Sequence, residues 1–536
     1  MPDLLNSARD ALQRGSWTAA KKAFERAISR DPSAEAFEGL GWAKYWLGDT
    51  EGSIAERERA YRAYLERSDR VSAARVAMGL AAAVFDIGGP AVATGWVERA
   101  KDHLRRMRQT IMHGWLAYSL GHMERMVNDD FRTARKHARQ AQRIAARFGD
   151  TQLELMGRAL EGLTLVNEGR VADGMRRIDE ATTAAMAGEM ADIDSIANTC
   201  CMLLFACERV RDYKRAAQWQ KRIATFCRQW KLEALFTVCS TQHAAMLAGS
   251  GNWRDAEPQL EEAMERLEKT RPLLVPDVIV HLAELRRRQG RYDDALELIR
   301  RVETRTEGML TRAAIALDSG DFAGAIEFAD RILGRKAGEK WVERAAALEI
   351  IVSAALQSGD TARATSAFEN LQRIAGQVDA PIIRAFESRA AGHIAGDPER
   401  ARSAYVESFE TFDDAQAPFE AACTRLLLAK TLIALDRERA AKSELDAAAA
   451  TFERLGAARE LQRARAGFAP SDRRPITERE CEILRLVSEG LGDKELATRL
   501  RLSEHTVHRH VSNILRKLGA SSRSAAVAHA IRLGWF

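Results

Sequence analysis

The chain of 536 residues has no uninterrupted apolar run of about 18 residues, the length that a membrane-spanning helix requires. Its first residues lack the basic, apolar and small-residue pattern of a secretion signal, so we expect a cytoplasmic protein. Proline is scarce, at 11 residues, and aromatic residues make up only 7% of the chain. The chain can still form a large hydrophobic core, because 46% of its residues are hydrophobic, many of them Ala and Leu. This composition favours a large helical fold.

Cysteine is also sparse, with seven residues, an odd number that suits a reducing compartment. Five of them fall within 40 residues: Cys200, Cys201, Cys207, Cys227 and Cys239. No pair has the Cys-x-x-Cys spacing of a metal site, and no paired histidine lies nearby. We interpret the group as small core residues, with a redox or metal sensor as the alternative.

Motifs for catalysis are missing as well. Residues 334–340 superficially resemble a phosphate-binding loop, but the glycines are one residue too close and no strand pattern precedes them. His243 has neither a triad nor a zinc pattern around it. We expect no catalytic residues, no cofactor and no metal, and therefore not an enzyme.

An internal repeat occupies residues 1–465. Each copy has a turn residue, an aromatic residue two positions later and an alanine three positions after that, a pattern typical of tetratricopeptide (TPR) units. Clear copies begin at Gly15, Asp129, Arg211, Gly251, Gly290 and Gly320, and the frame also recurs at Gly48 and Gly169. Weaker copies begin at Gly359, Gly396 and Asp436, and Gly88 is a further candidate start. The alanine lets two helices approach, while large apolar residues fill the space between them. The sequence predicts an all-α fold, with a TPR-like α-solenoid of about a dozen helix pairs.

Solenoids of this kind bind peptides, proteins or small ligands in their concave groove. We therefore expect an effector of one of these classes to bind in the groove. In the second repeat, the usual register places Glu35, Glu38, Trp42 and Tyr45 toward the groove. The alternative is that these aromatic side chains pack between helices.

A glycine and two prolines interrupt the repeat pattern near its end, which predicts a linker at residues 466–474 and a separate domain at 475–536. Charge changes there too. Residues 459–536 contain 15 Lys and Arg against 9 Asp and Glu, a net charge of +6, while the other residues contain 66 against 67. A basic domain on a neutral body is the expected pattern of a nucleic-acid-binding protein.

Four short helices are predicted in this last segment. Thr477 caps the first, and the second runs from about Asp493 to Leu500. Ser503 caps a third helix with a polar, basic outer face, and Ser521 or Ser522 caps the fourth. Two helices joined by three or four residues, the second with such a face, form a helix-turn-helix.

The segment resembles the LuxR/GerE-type helix-turn-helix domain, a four-helix unit without a wing, over about 60 residues. The resemblance rests on residues 477–480, 483–484, 494–497, 506–507, 513–514, 516–518 and 522–523, and on Gly490, Leu500, Ser503 and His510. It implies that the third helix reads bases through His508, Arg509 and Ser512. It assigns phosphate contacts to residues such as His505, Thr506, Arg516 and Lys517. We add Lys494, Ser503 and Arg523 to the expected DNA-binding set.

The resemblance also implies a homodimer on an inverted-repeat operator, formed through the fourth helix, with Ala526, His529, Ala530 and Leu533 at least partly exposed. Two positions depart from the family pattern. His508 stands where Lys is usual, and Gly492-Asp493 replaces Ser-Asn, so that Asp493 is expected to cap the second helix.

Together these features predict a DNA-binding transcription regulator controlled by an effector in its repeat arm. Two alternatives remain open. One is an adaptor whose helix-turn-helix serves protein contacts, and the other is an enzyme with an unrecognised site in the groove.

Overall fold

The computed structural model describes residues 2–230, 233–302, 305–335, 340–467, 476–500, 502–532 and 535. Within these ranges the chain is helical and contains no strand, which confirms the all-α prediction. The repeat region (the arm) has twelve helix pairs and one final helix: α1 Pro2–Gln13, α2 Trp17–Arg30, α3 Ala34–Trp46, α4 Thr50–Glu66, α5 Arg70–Asp86, α6 Pro90–Leu104, α7 Ile111–Val127, α8 Phe131–Phe148, α9 Thr151–Asn167, α10 Val171–Ala184, α11 Ile193–Val210, α12 Tyr213–Trp230, α13 Glu233–Gly249, α14 Trp253–Thr270, α15 Val275–Gln289, α16 Tyr292–Arg300, α17 Thr306–Asp318, α18 Phe322–Leu333, α19 Trp341–Gln357, α20 Thr361–Gln377, α21 Pro381–Ile394, α22 Pro398–Asp414, α23 Pro418–Ala434, α24 Glu438–Leu455 and α25 Ala458–Ala466. A π-helical segment, Ala185–Glu189, follows α10, and a 3₁₀ turn, Pro272–Leu274, precedes α15.

The aromatic residue of the repeat pattern begins the second helix of its pair. The clear copies place it at Trp17, Phe131, Tyr213, Trp253, Tyr292 and Phe322. The alanine three positions later lies one turn along the helix, and Ala20, Ala134 and Ala256 are completely buried. Its small side chain lets the two helices of a pair pack closely.

Most turn residues have the left-handed backbone conformation that reverses the chain between paired helices. Gly290, at φ 87°, is an example, and glycine adopts this region without a steric penalty. Asp129, Arg211 and Asp436 occupy the same conformation without being glycine. Gly396 does not adopt it, because the next helix is instead started by Asp397, whose carboxylate caps α22 ahead of Pro398.

The last repeats pack back onto the middle of the arm. Arg288 of α15 donates to the Glu420 carboxylate of α23 at 3.3 Å, and Arg459 of α25 donates to the carbonyl of Asp318. One apolar cluster contains residues of α13 to α17 together with residues of α23 to α25. The superhelix is therefore closed, since elements more than 130 residues apart in sequence share a core.

The aromatic and acidic residues expected to line the groove of the second repeat are engaged within the arm. Glu38 accepts from Tyr64 at 3.0 Å. The Arg57 guanidinium lies 4.1 Å from the centre of the Trp42 ring, and the Tyr45 hydroxyl accepts from Arg271 at 2.7 Å. These contacts favour the packing alternative for this repeat.

Two of the clustered cysteines, Cys200 and Cys207, are completely buried, as expected of core residues. Burial raises the pKa of the Cys207 thiol well above its usual value, which suppresses the reactive thiolate. The side chains of Cys227 and Cys239 lie outside the described residues, as do residues 336–339 of the phosphate-loop-like segment.

The C-terminal segment contains α26 Glu478–Ser488, α27 Asp493–Leu500, α28 Glu504–Leu518 and α29 Arg523–Arg532. Its core includes Ile483, Leu496, Val507 and Ile514, each no more than 1% exposed. Residues 468–475, most of the predicted linker, lie outside the described residues, so the domain boundary at 466–474 stays a prediction.

Candidate DNA-binding site

The helices α27 and α28 are joined by three residues, as expected of a helix-turn-helix. The Ser503 hydroxyl caps α28 by accepting the Thr506 N–H at 3.1 Å, and the two hydroxyls lie 2.7 Å apart. Val507, Val511 and Ile514, spaced by four and three residues, are buried against the other helices. Val511 was missed by sequence reasoning, although its four-residue spacing from Val507 predicts the same face.

The opposite side of α28 is a solvent-exposed polar face (the recognition face), made of His505, His508, Arg509, Ser512 and Arg516. Within the described residues, Arg509 and Ser512 make no side-chain hydrogen bond or ion pair. Their side chains therefore need not leave another partner to contact a ligand. Such a helix, about 10–12 Å across, fits the major groove of B-DNA.

Other members of the expected DNA-binding set hold the four helices together. Lys517 of α28 donates to Glu480 of α26 at 2.7 Å, and Arg523 of α29 donates to Asp493 of α27 at 2.8 Å. His508 Nδ1 lies 3.7 Å from the same Asp493 oxygen that Arg523 contacts. The Lys517 bond holds α28 against α26, and the Arg523 bond holds α29 against α27.

Glu480 is the central anion of this arrangement. Its carboxylate accepts the Thr477 N–H at 2.8 Å, and the Thr477 hydroxyl accepts the Glu480 N–H at 3.3 Å, a reciprocal capping box. The residue is 4% exposed. Burial opposes its ionisation, but the bonds from Lys517 and Thr477 outweigh burial and lower the pKa of Glu480 below its usual value.

The expectation that Asp493 caps α27 was wrong. Asp493 is the first residue of the helix, and its carboxylate binds Arg523 instead. Gly492 precedes the helix, and its N–H donates to Glu495 Oε2 at 2.8 Å. Lys494, on the same first turn, is exposed.

The expected dimer face of α29 was also wrong in part. Ala526 and Ala530 are completely buried in the domain core, and the His529 ring packs against Trp535 with centroids 6.0 Å apart. Leu533 lies outside the described residues. The large apolar side chain that α29 exposes is Ile531, at 57%. Ser522 caps the helix by accepting the Ala525 N–H at 3.1 Å, which settles the choice left open between Ser521 and Ser522.

Across the described ranges, no group of three or more His, Cys, Asp or Glu side chains is arranged to hold a metal ion. No helix there has the length and apolar character needed to cross a lipid bilayer.

Comparisons with known proteins match both regions. The family of bacterial regulatory proteins described as the luxR family matches residues 474–530. The tetratricopeptide repeat family matches residues 5–64, 246–309 and 280–340. The first match confirms the resemblance to the LuxR/GerE-type helix-turn-helix domain, and the second confirms the repeat.

Two curated relatives are similar to the C-terminal segment of this chain. The transcriptional regulatory protein DegU of Brevibacillus brevis is 43% identical over 60 residues, 11% of this chain and 25% of DegU. The spore germination protein GerE of Bacillus subtilis (strain 168) is 42% identical over 59 residues, 11% of this chain and 80% of GerE. The chain thus spans about a quarter of DegU but most of GerE.

Among solved structures, a Rap protein complexed with competence and sporulation factor covers 73% of this chain and 99% of that chain, at 11% identity and a TM-score of 0.40.

Proposed function

The chain belongs to the luxR family of bacterial regulatory proteins, and we propose that it regulates transcription by placing α28 in the major groove of DNA. The observation that carries this proposal is the recognition face, where polar and basic side chains recur along one side of a helix whose other side is buried. The net charge of +6 over residues 459–536 adds attraction for phosphates.

The polar side chains on the recognition face and beside it divide into two roles. Arg509 and Ser512, which are exposed and free of hydrogen bonds within the described residues, read base edges, with His508 beside them. His505, Thr506, Arg516 and Lys494 bind phosphates, as does the α28 N-terminus capped by Ser503.

Lys517 and Arg523 have a further role in this proposal. Each forms an ion pair within the domain, Lys517 with Glu480 and Arg523 with Asp493. The Lys517 pair holds α28 against α26 and so helps to set the angle at which the recognition face meets DNA, while the Arg523 pair holds α29 against α27. If either side chain also binds a phosphate, the phosphate either joins the carboxylate as a second partner or displaces it.

The regulator acts as a homodimer on an inverted-repeat operator, through the outward side of α29. Ile531 is the apolar group that this helix exposes, and burying it against a second copy removes it from water. The helical-repeat arm binds an effector, a small molecule or protein, that controls DNA binding.

The test is selection of genomic DNA fragments by the full-length protein, followed by measurement of affinity against salt concentration. An inverted-repeat consensus and a linear fall of log affinity with log salt are expected, because phosphate binding releases counterions. A matched control is Arg254→Ala, an exposed arginine on α14 of the arm, which leaves the selected sequence and the salt slope unchanged. Failure to enrich any sequence over unselected DNA would reject the proposal.

A further inference from the structure

The last repeats and the middle ones together line a half-open cavity of about 310 Å³ in the arm. Its wall is formed by the odd-numbered helices from α11 to α25, which are the first helices of successive pairs together with the final helix. In a TPR-like superhelix these helices face the concave side. The cavity (the chamber) therefore lies in the groove of the second half of the arm.

Most charged groups on the wall neutralise one another. Arg389 donates to Glu349 at 2.9 Å and to Glu420 at 3.1 Å. Arg288 donates to Glu284 at 2.8 Å and to the same Glu420 at 3.3 Å. These groups are already hydrogen-bonded to one another. They therefore form the wall of the chamber and are not the groups that we expect to bind a ligand.

Glu343 of α19 differs from these groups. It is 7% exposed, it lines the cavity, and its Oε2 atom is buried without a hydrogen-bond partner. Within the described ranges its carboxylate makes no ion pair either. A buried acid in this situation carries a desolvation cost that a positively charged ligand group would offset.

Arg211 lines the same cavity from the turn between α11 and α12. It occupies the turn position at which most repeats have glycine, with φ 54°. Its guanidinium lies 5.8 Å from the centre of the Phe386 ring, and no hydrogen bond or ion pair engages it among the residues described. Among the described residues of the wall, Arg211 is thus a cation and Glu343 an acid without a bonded partner.

The two groups influence each other without bonding. Burial raises the pKa of Glu343, and the positive charges of Arg209 and Arg211 oppose that rise only in part. Both groups line one cavity, so a ligand that bears both charges can be recognised there. The volume lies at the small end of the range for small-molecule pockets, roughly 300–1,000 Å³.

We propose that this chamber binds a small zwitterion, an α-amino acid or dipeptide, whose ammonium group binds Glu343 and whose carboxylate binds Arg211. This ligand would be the effector of the function proposed above, and its regulatory role rests on that function. The chamber then gives the chemical class of the effector and the place where it binds.

The test is a thermal-shift titration of the full-length protein with the proteinogenic amino acids and their glycyl dipeptides. 1,4-Diaminobutane and succinate serve as probes that carry only one of the two charges. At least one zwitterion is expected to raise Tm in a saturable manner, and neither single-charge probe is expected to do so. Calorimetry then gives the affinity of that zwitterion for Glu343→Gln and Arg211→Gln, which should each weaken binding roughly ten- to a hundredfold.

Glu265→Gln, at an exposed position on α14, is the matched control and should bind as tightly as the unmodified chain. No saturable shift with any zwitterion of the panel would overturn the proposal, as would unchanged affinity in both variants. Should Glu343→Gln fail to fold by circular dichroism, Arg211→Gln decides the outcome alone. DNA binding of the same preparations is measured separately, so that a wrong ligand class and a wrong regulator function give different results.

Discussion

The buried carboxylate of Glu480 should contribute more to the stability of the C-terminal domain than any exposed ion pair in it. Glu480→Ala removes the acceptor of the capping box, a loss of about 1 kcal/mol. It also leaves Lys517 without its partner, and a hydrogen bond to a charged group contributes about 1.5–3 kcal/mol. If the two effects add, the substitution should lower the free energy of local unfolding by roughly 2.5–4 kcal/mol.

The measurement is amide hydrogen exchange of peptides from α26 and α28 in the full-length protein, because exchange reports local opening. At 1.36 kcal/mol per tenfold, we expect exchange to accelerate roughly 70- to 900-fold. Glu480→Gln keeps a capping side chain but loses the charge, so it should lie between Glu480→Ala and the unmodified chain.

The matched control is Glu482→Ala, which removes an exposed pair with Arg479 on the same helix. Exposed pairs contribute at most about 1 kcal/mol, so exchange should accelerate no more than roughly fivefold. Equal acceleration by Glu480→Ala and Glu482→Ala would refute the reasoning. The pKa of Glu480 is lowered in the folded state, so this stabilisation should persist above the usual carboxyl pKa and vanish as pH falls through the lower folded value.

Three further outcomes are expected. Arg509→Ala should cost about 1–3 kcal/mol of DNA affinity and relax sequence preference, as measured by binding to operator variants; equal weakening on all sequences would contradict base reading. Arg516→Ala should weaken binding uniformly and flatten the log–log salt slope by about 0.9, and an unchanged slope would reject a phosphate contact. Burial lowers the pKa of His122 and of His393 to about 3, below the unfolded value near 6.5. The unfolded state therefore binds protons first, and urea titrations should show stability falling below pH 6.5 by up to about 1.4 kcal/mol per pH unit for each histidine, an effect that His122→Asn with His393→Asn should reduce.

Local features of the fold followed from the sequence because the physical cause lies within a few residues. The aromatic residue at the start of the second helix, the left-handed turn before it and the serine caps at Ser503 and Ser522 are of this kind. The side chains exposed on α28 were predicted from helical spacing alone, since three or four residues return to the same face.

What could not be predicted depends on contacts between distant residues. Nothing near Glu420 in the sequence indicates that its partner is Arg288, 132 residues earlier. Lys517 has the position of a phosphate-binding residue, yet its nearest partner is Glu480, 37 residues away. Ala526 and Ala530 were placed on the dimer face by the family resemblance, and the weak amphipathic pattern of α29, with alanine on both sides of the helix, did not indicate that they are buried.

Closure of the superhelix also changes how the arm should fold. An open solenoid is nearly one-dimensional, so each repeat is stabilised by its neighbours and the terminal repeats fray independently. Here α23 to α25 complete the core of α13 to α17, which turns the end of the array into a structural support for its middle. Removing the last repeat should therefore unfold elements well over a hundred residues earlier in the chain. The long-range contacts should also make the arm fold more slowly than a linear repeat array of equal length.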